Sequence, residues 1–258
     1  MARFDKLEFD EERQHDELPG ERTAPKRTEI DWMQQADQHR RGGLHENALK
    51  FYSRALESDR MLVGGWLGQV QMLVQLAEYP EAELWSRKAL ELFPGQGDLL
   101  AARGQALCRL GSLKAAHEMS DGALRQRGQS AYRWMVRGEL MLAGRQTPDQ
   151  HCFDKAQQLE TDWLIPTEIA MICLFYRHPG RAHIRACRAC EMAPEQWFPW
   201  LVQARCQRAL GLARQCRRSL ETCLELHPGH EEARQMLADQ QSATAASLSR
   251  WLRGLFQR

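Results

Sequence analysis

Three eight-residue stretches, ALKFYSRA at 48–55, AELWSRKA at 82–89 and AHEMSDGA at 116–123, decide the fold of this chain. Each opens and closes on alanine, so Ala48/Ala55, Ala82/Ala89 and Ala116/Ala123 recur on a 34-residue clock. Seven residues are close to two turns of helix, which puts both alanines on one face. Small side chains there let a neighbouring helix approach closely. Sixteen residues before the first alanine stand Trp32, Trp66 and Leu100. A clock of this length belongs to stacked helix pairs, in which no pair can bury its apolar face alone.

Working outward, the same phase divides the chain into repeats at 29–62, 63–96, 97–130, 131–162, 163–196 and 197–230. In the first, Gly42-Gly43 separates two helices, since glycine costs about 1 kcal/mol inside a helix and takes turns readily. The second ends at Pro94. The third carries Gly104 and Gly111, and the fourth Trp134 and Gly138. The fourth then loses one residue in the turn at 144–149, so Phe153 and Ala156 arrive one position early. In the fifth, Pro166 replaces the aromatic, and it is expected at an early helical position where proline is tolerated. The sixth reads Trp200, Ala204, Gly211, Cys216 and Cys223, with Pro194 and Pro228 again 34 apart.

The flanks differ in character. Residues 1–28 mix acids and bases with Pro19, Gly20 and Pro25, and are expected to be a disordered arm; Phe4, Leu7 and Phe9 form its one apolar cluster. Residues 231–241 are polar enough for a capping helix. Beyond a linker at 242–246 comes SLSRWLRGLFQR. Its Leu248, Trp251, Leu252, Leu255 and Phe256 fall at i, i+3, i+4, i+7 and i+8, a docking stripe on an amphipathic helix.

These residues resemble the tetratricopeptide-repeat (TPR) family over about 29–241. The chain departs from the family mainly at position seven of each repeat, where Gln35, Gln69, Arg103, Arg137 and Gln203 stand instead of leucine, so the first helices are expected to be wetter than usual. The resemblance implies an all-α, right-handed superhelical solenoid whose first helices line a concave groove for peptides or helices of a partner protein. Projected onto this chain, the groove carries Met33, Asp37, Arg40 and Arg41, then Leu67, Gln71 and Val74, then Gln105, Cys108 and Arg109. Further on come Tyr132, Met135, Glu139 and Leu142, then Thr167, Met171, Leu174 and Phe175, and finally Phe198, Leu201, Arg205 and Arg208. Its ends are polar and basic and its middle apolar, which suits an amphipathic helix or an apolar peptide with an acidic end. The protein's own termini are the alternative occupants. One TPR subclass clamps acidic chaperone tails with a lysine and an asparagine; Met33 and Asp37 hold those positions here, so that reading is rejected.

Residues that could carry chemistry are few. His183, Cys187 and Cys190 share a face of one helix, with Cys216 and Cys223 on the equivalent helix of the next repeat. Zinc requires a tetrahedron of N/S ligands that a straight helix does not offer, and packing accounts for these small residues without a metal. A redox reading of Cys187-x-x-Cys190 lacks the helix N-terminus that activates a thiol. No nucleophile elbow, phosphate loop, zinc-protease or dinucleotide motif occurs. The expectation is therefore no enzyme, no cofactor and no metal.

A net charge of +1 argues against general nucleic-acid coating. Arginines nevertheless crowd residues 177–218 against only Glu191 and Glu195. Arg185, Arg188 and Arg218 are expected on the convex side and Arg205 and Arg208 in the groove; solvated surface is the plainer reading, and RNA backbone the sharper one. The charged start MARFDKLEFDEE has no apolar leader, the eight cysteines fall where small apolar residues belong, and the longest apolar run, 169–176, is too short to span a bilayer. A cytoplasmic location with reduced thiols is expected. The function expected is a protein-binding scaffold. The alternatives are a membrane-peripheral adaptor using the C-terminal helix, and an RNA-binding solenoid using repeats five and six. The identity of the partner and the oligomeric state are not legible.

Overall fold

The computed structural model describes residues 29–146 and 149–240. All regular structure among them is helical. The helices come as pairs: α1 (Glu29–Arg41) with α2 (His45–Ser58), α3 (Val63–Gln75) with α4 (Tyr79–Leu92), and α5 (Gly97–Arg109) with α6 (Leu113–Arg125). Then follow α7 (Ala131–Ala143) with α8 (Asp149–Leu159), α9 (Leu164–Phe175) with α10 (Pro179–Met192), and α11 (Trp197–Ala209) with α12 (Ala213–Leu226). Residues 231–240 form a further helix, α13. The chain divides into two compact units, Met1–Gly128 and Gln129–Arg258. Within each, every helix up to α12 packs on the next in sequence, and the first helices of successive pairs also touch, α1 on α3 and α3 on α5 in one unit, α7 on α9 and α9 on α11 in the other.

Each first helix is stopped by the same device. Gly43, Ala77, Gly111, Arg145, Arg177 and Gly211 all have positive φ, between 55° and 84°. Each lets two crossed hydrogen bonds close the helix: the Gly111 N–H donates to the Cys108 carbonyl at 3.0 Å and the Ser112 N–H to that of Leu107 at 2.9 Å. The stops keep a spacing of 34 from Gly43 to Arg145; the next comes 32 later, at Arg177. The fourth repeat is thus short by two residues, one before Phe153, as its pattern indicates, and a second after Ala156. Consistently, α8 has 11 residues where the other second helices have 13 or 14. Pro166 is the third residue of α9, where its missing N–H has no intrahelical acceptor to lose, and the Asp162 carboxylate accepts from the Leu164 N–H at 2.8 Å.

The clock alanines lie in the core. All six alanines of the three opening stretches are buried. Trp66 and Trp200 do the same work in different units. Their indole N–H groups donate six residues back, to the Arg60 carbonyl at 2.8 Å and the Pro194 carbonyl at 2.9 Å, fastening the loop from the preceding second helix.

Position seven departs from the expectation of a wetter helix. Gln69 and Gln203 are buried, and Arg103 of α5 reaches Glu83 of α4 at 2.9 Å. Gln203 of α11 contacts Cys187 and Cys190 of α10 and Ser219 of α12. The ends of Arg103 and Gln203 meet polar groups on second helices, whereas Gln69 is buried with its Oε1 unmatched.

Candidate functional site

In the N-terminal unit the residues projected onto the groove are unequally accessible. On α1, Met33, Arg40 and Arg41 are half-buried and Asp37 is exposed. On α3, Leu67 is half-buried while Gln71 and Val74 are buried; on α5, Gln105 and Cys108 are buried and Arg109 is half-buried. Asp37 accepts a hydrogen bond of 2.5 Å from the buried Tyr52 hydroxyl of α2. Burial pushes that phenol far above its ordinary pKa; Arg40 opposes the shift and Asp37 adds to it.

In the C-terminal unit, Tyr132, Met135, Glu139 and Leu142 of α7 are all buried. Glu139 accepts from the Tyr176 hydroxyl at 3.3 Å. On α9, Thr167 is buried and donates to the Trp163 carbonyl at 2.8 Å, whereas Met171 and Leu174 are half-buried and Phe175 is 47% exposed. On α11, Phe198 and Leu201 are buried, Arg205 is half-buried and Arg208 is exposed. Arg205 forks onto Glu232 of α13, with Nε to Oε1 at 2.8 Å and a second bond from Nη2 to Oε2. Burial works to raise the Glu232 carboxyl, but the hydrogen bonds and charge of Arg205 outweigh it and hold the group below the usual carboxylate range. The most accessible apolar feature among the projected residues is the α9 stripe. Met171, Leu174 and Phe175 stand at i, i+3 and i+4, with the Phe175 ring 4.9 Å from that of Tyr176.

Within the arginine-rich stretch Arg188, Arg208 and Arg218 are exposed, whereas Arg185 departs from the solvated surface expected for it. Arg185 is only 8% exposed and donates to Asp154 at 2.7 Å and to Gln157. Arg188 reaches Gln157 at 3.1 Å, and Arg181 reaches Asp149 and Gln150. Three guanidiniums of α10 thus face polar groups of the shortened α8. Burial tends to raise the Asp154 carboxyl, but Arg185 and Gln150 bonded to it hold it below its ordinary value. Sequence reasoning missed this interface, although a signal exists: Gln150, Asp154 and Gln157 share the spacing of four and three with Arg181, Arg185 and Arg188.

Of the eight cysteines, Cys187 alone is not buried, and its Sγ lies 3.7 Å from both ring nitrogens of His183. Burial, with Cys187 and Cys206 nearby, drives the Cys190 thiol far up, and burial pushes Cys206 to about 12, so both sulfurs remain protonated. Among the described residues no group of three or more His, Cys, Asp or Glu is arranged to hold a metal ion. Likewise, no described helix is long and apolar enough to cross a membrane. The C-terminal stripe of Leu248, Trp251, Leu252, Leu255 and Phe256, and the arm at 1–28, lie outside the described residues.

No protein-family model and no curated protein sequence matches the chain. Solved structures do. The chain is similar to TTC0263, a thermophilic TPR protein of Thermus thermophilus, at 19% identity and a TM-score of 0.54, over 71% of this chain and 99% of that one. It is similar to yeast Tom70 at 16% identity and a TM-score of 0.55, over 86% of this chain and 49% of that one. A chain of the APC/C hetero-tetramer Cut9-Hcn1 matches at 13% identity and a TM-score of 0.50, over 83% of this chain and 43% of its own length. The chain therefore spans less than half of the last two. At such identities the likeness is one of fold, and the fold is the TPR solenoid.

Proposed function

We propose that the protein is a non-enzymatic scaffold that holds a peptide or helix of a partner protein against the first helices of its repeats. The α9 stripe carries this reading: Met171, Leu174 and Phe175 leave apolar surface at solvent on a helix whose other face is packed. Covering what remains exposed of one such side chain stabilises a complex by roughly 1 kcal/mol, about half the value for burying a fully exposed one. A helix held by its neighbours offers this surface pre-organised, so the ordering cost falls on the ligand. That a chain of similar fold is part of a hetero-tetramer supports an assembly role. The RNA reading is weakened by Arg181, Arg185, Arg188 and Arg205, whose guanidiniums are engaged by internal acceptors.

The test is capture of bound proteins by the full chain, compared with Met171→Glu/Leu174→Glu/Phe175→Glu, each read by mass spectrometry. A protein retained by the parent and lost from a variant with the parent's circular dichroism supports the scaffold and names its partner. Identical recoveries from the two overturn this placement of the site.

A further inference from the structure

Cys187 of α10 differs from the other seven cysteines, all of which are buried, in reaching the surface. Its Sγ lies 3.7 Å from both Nδ1 and Nε2 of His183, one turn earlier on the same helix. From α11, Nε2 of Gln203 donates a hydrogen bond of 3.2 Å to the same sulfur. We propose that this constellation is a modification site, at which Cys187 exchanges with a low-molecular-weight disulfide and becomes a mixed disulfide. The proposal goes beyond the scaffold reading and does not depend on it.

Three observations meet at the sulfur. Access is the first. Ile184, Cys187, Arg188 and Glu191 share one face of α10; Ile184 is 69% exposed, and Arg188 and Glu191 are exposed as well. Those two charges are opposite in sign, so what the site takes is decided by sulfur chemistry and not by the charge of the reagent. The second is a route for the proton. A thiol attacks as its thiolate, and the His183 ring is a base within reach. Because both ring nitrogens are equally distant from Sγ, whichever one lacks a proton can accept it. The third is the Gln203 amide. Its Oε1 accepts from Cys190 Sγ at 3.4 Å and from Ser219 Oγ at 3.2 Å, which turns Nε2 toward Cys187. A hydrogen bond donated to sulfur strengthens as negative charge develops there.

The step balances without a further oxidant. The Cys187 S–H proton passes to His183 as Sγ attacks one sulfur of the disulfide. A new S–S bond forms at Cys187, the disulfide's own S–S bond breaks, and the departing thiolate recovers the proton from His183. Cys187 is oxidised and the departing sulfur reduced. Cys190, three residues on, does not turn the site into a dithiol couple. It is buried, its thiol is driven far up by that burial with Cys187 and Cys206 adding to it, and it is engaged by Gln203. The mixed disulfide therefore persists until an external thiol reverses the exchange.

The test incubates the reduced full chain with oxidised glutathione and follows intact mass and peptide maps by mass spectrometry. One glutathionyl group per chain is expected, carried by Cys187, removed by dithiothreitol and absent from Cys187→Ser. His183→Ala separates this site from a thiol that is only accessible. Losing the ring uncovers the sulfur, so a merely accessible Cys187 would react faster. Loss of the proton acceptor is instead expected to slow the reaction at least about tenfold, with the parent's circular dichroism retained. His183→Gln keeps the bulk of the side chain without a basic nitrogen and should be equally slow, so the result does not hang on tolerance of one substitution. Absence of modification, its spread over several cysteines, or His183 variants as fast as the parent or faster would each overturn the proposal.

Discussion

A Cβ added to Gly138 of α7 would stand 2.6 Å from Cε1 of Phe153 on α8, closer than side-chain carbons come. The ring lies against bare helix backbone, and Phe153 is fully buried. Gly138→Ala gains about 1 kcal/mol of helix propensity but forces an overpacked contact costing about 1–3 kcal/mol. The expected net is destabilisation by about 1 kcal/mol in urea unfolding. Gly122→Ala in α6 is the control, since its added carbon meets only Leu100 Cδ1, at 3.7 Å. That variant is expected to be stabilised by about 0.5–1 kcal/mol. Equal effects of the two substitutions would show that close helix approach at Gly138 is not what fixes glycine there.

The helix stops give a second contrast. Ala77, at φ 62°, and Arg177, at φ 61°, hold the left-handed conformation that glycine holds at 43, 111 and 211. A Cβ there costs about 1–2 kcal/mol, offset in part by glycine's greater freedom in the unfolded chain. Ala77→Gly and Arg177→Gly are each expected to raise stability by about 0.5–1 kcal/mol, and Gly111→Ala to lower it by a similar amount. Chemical denaturation of the three single variants decides it, and destabilisation by Ala77→Gly would remove the argument.

How much of this was legible follows from which interactions repeat. The alanine pairs, Trp32, Trp66 and Trp134, and the Gly43 and Gly111 stops fall in one 34-residue register because every helix pair solves the same packing problem, so one repeat reads another. Ala77 and Arg177 hid the same stop behind ordinary residues. Gln203 looked wet because side-chain identity alone does not say that Cys187, Cys190 and Ser219 face it. Within the projected groove, register placed Gln71 and Glu139 beside Asp37's position. It carried no information on depth, and both are buried where Asp37 is exposed. The α8–α10 interface was hidden for another reason: it occurs once, where the clock skips, and a period cannot announce its own exception.

That interface should be strong. Arg185 is buried against Asp154 and Gln157, so Arg185→Met removes one of two donors from each, leaving Gln150 on Asp154 and Arg188 on Gln157. The expected loss is about 2 kcal/mol, well above the 0–1 kcal/mol of an exposed ion pair. A double-mutant cycle with Asp154→Asn measures the pairwise part. Additive effects would mean that Arg185 acts through its packing and not through the carboxylate.

The attachment of α13 should depend on pH through His230. Its Nδ1 accepts the Ala233 N–H at 3.2 Å, capping the helix, which requires a neutral ring with the proton on Nε2. Its ring also lies 4.6 Å from that of Trp197 and 5.8 Å from that of His227. Burial depresses the His230 pKa; Glu232 opposes the shift, while His227 and Arg205 add to it. With the folded value below the unfolded one near 6.5, the unfolded ring takes up its proton first as pH falls. The contribution is therefore whole above pH ~6.5 and is lost as pH drops from there through the folded pKa. Glu232 is held below the usual carboxylate range by Arg205, so the Arg205–Glu232 fork persists as pH falls below 6.5. Hydrogen exchange at residues 233–236 should quicken as pH falls below about 6.5, while that in α11 is unchanged beyond the intrinsic pH effect. His230→Asn keeps a side-chain acceptor and removes the titration, so its exchange should lose this pH step. A step that persists in His230→Asn would assign the pH response to another group.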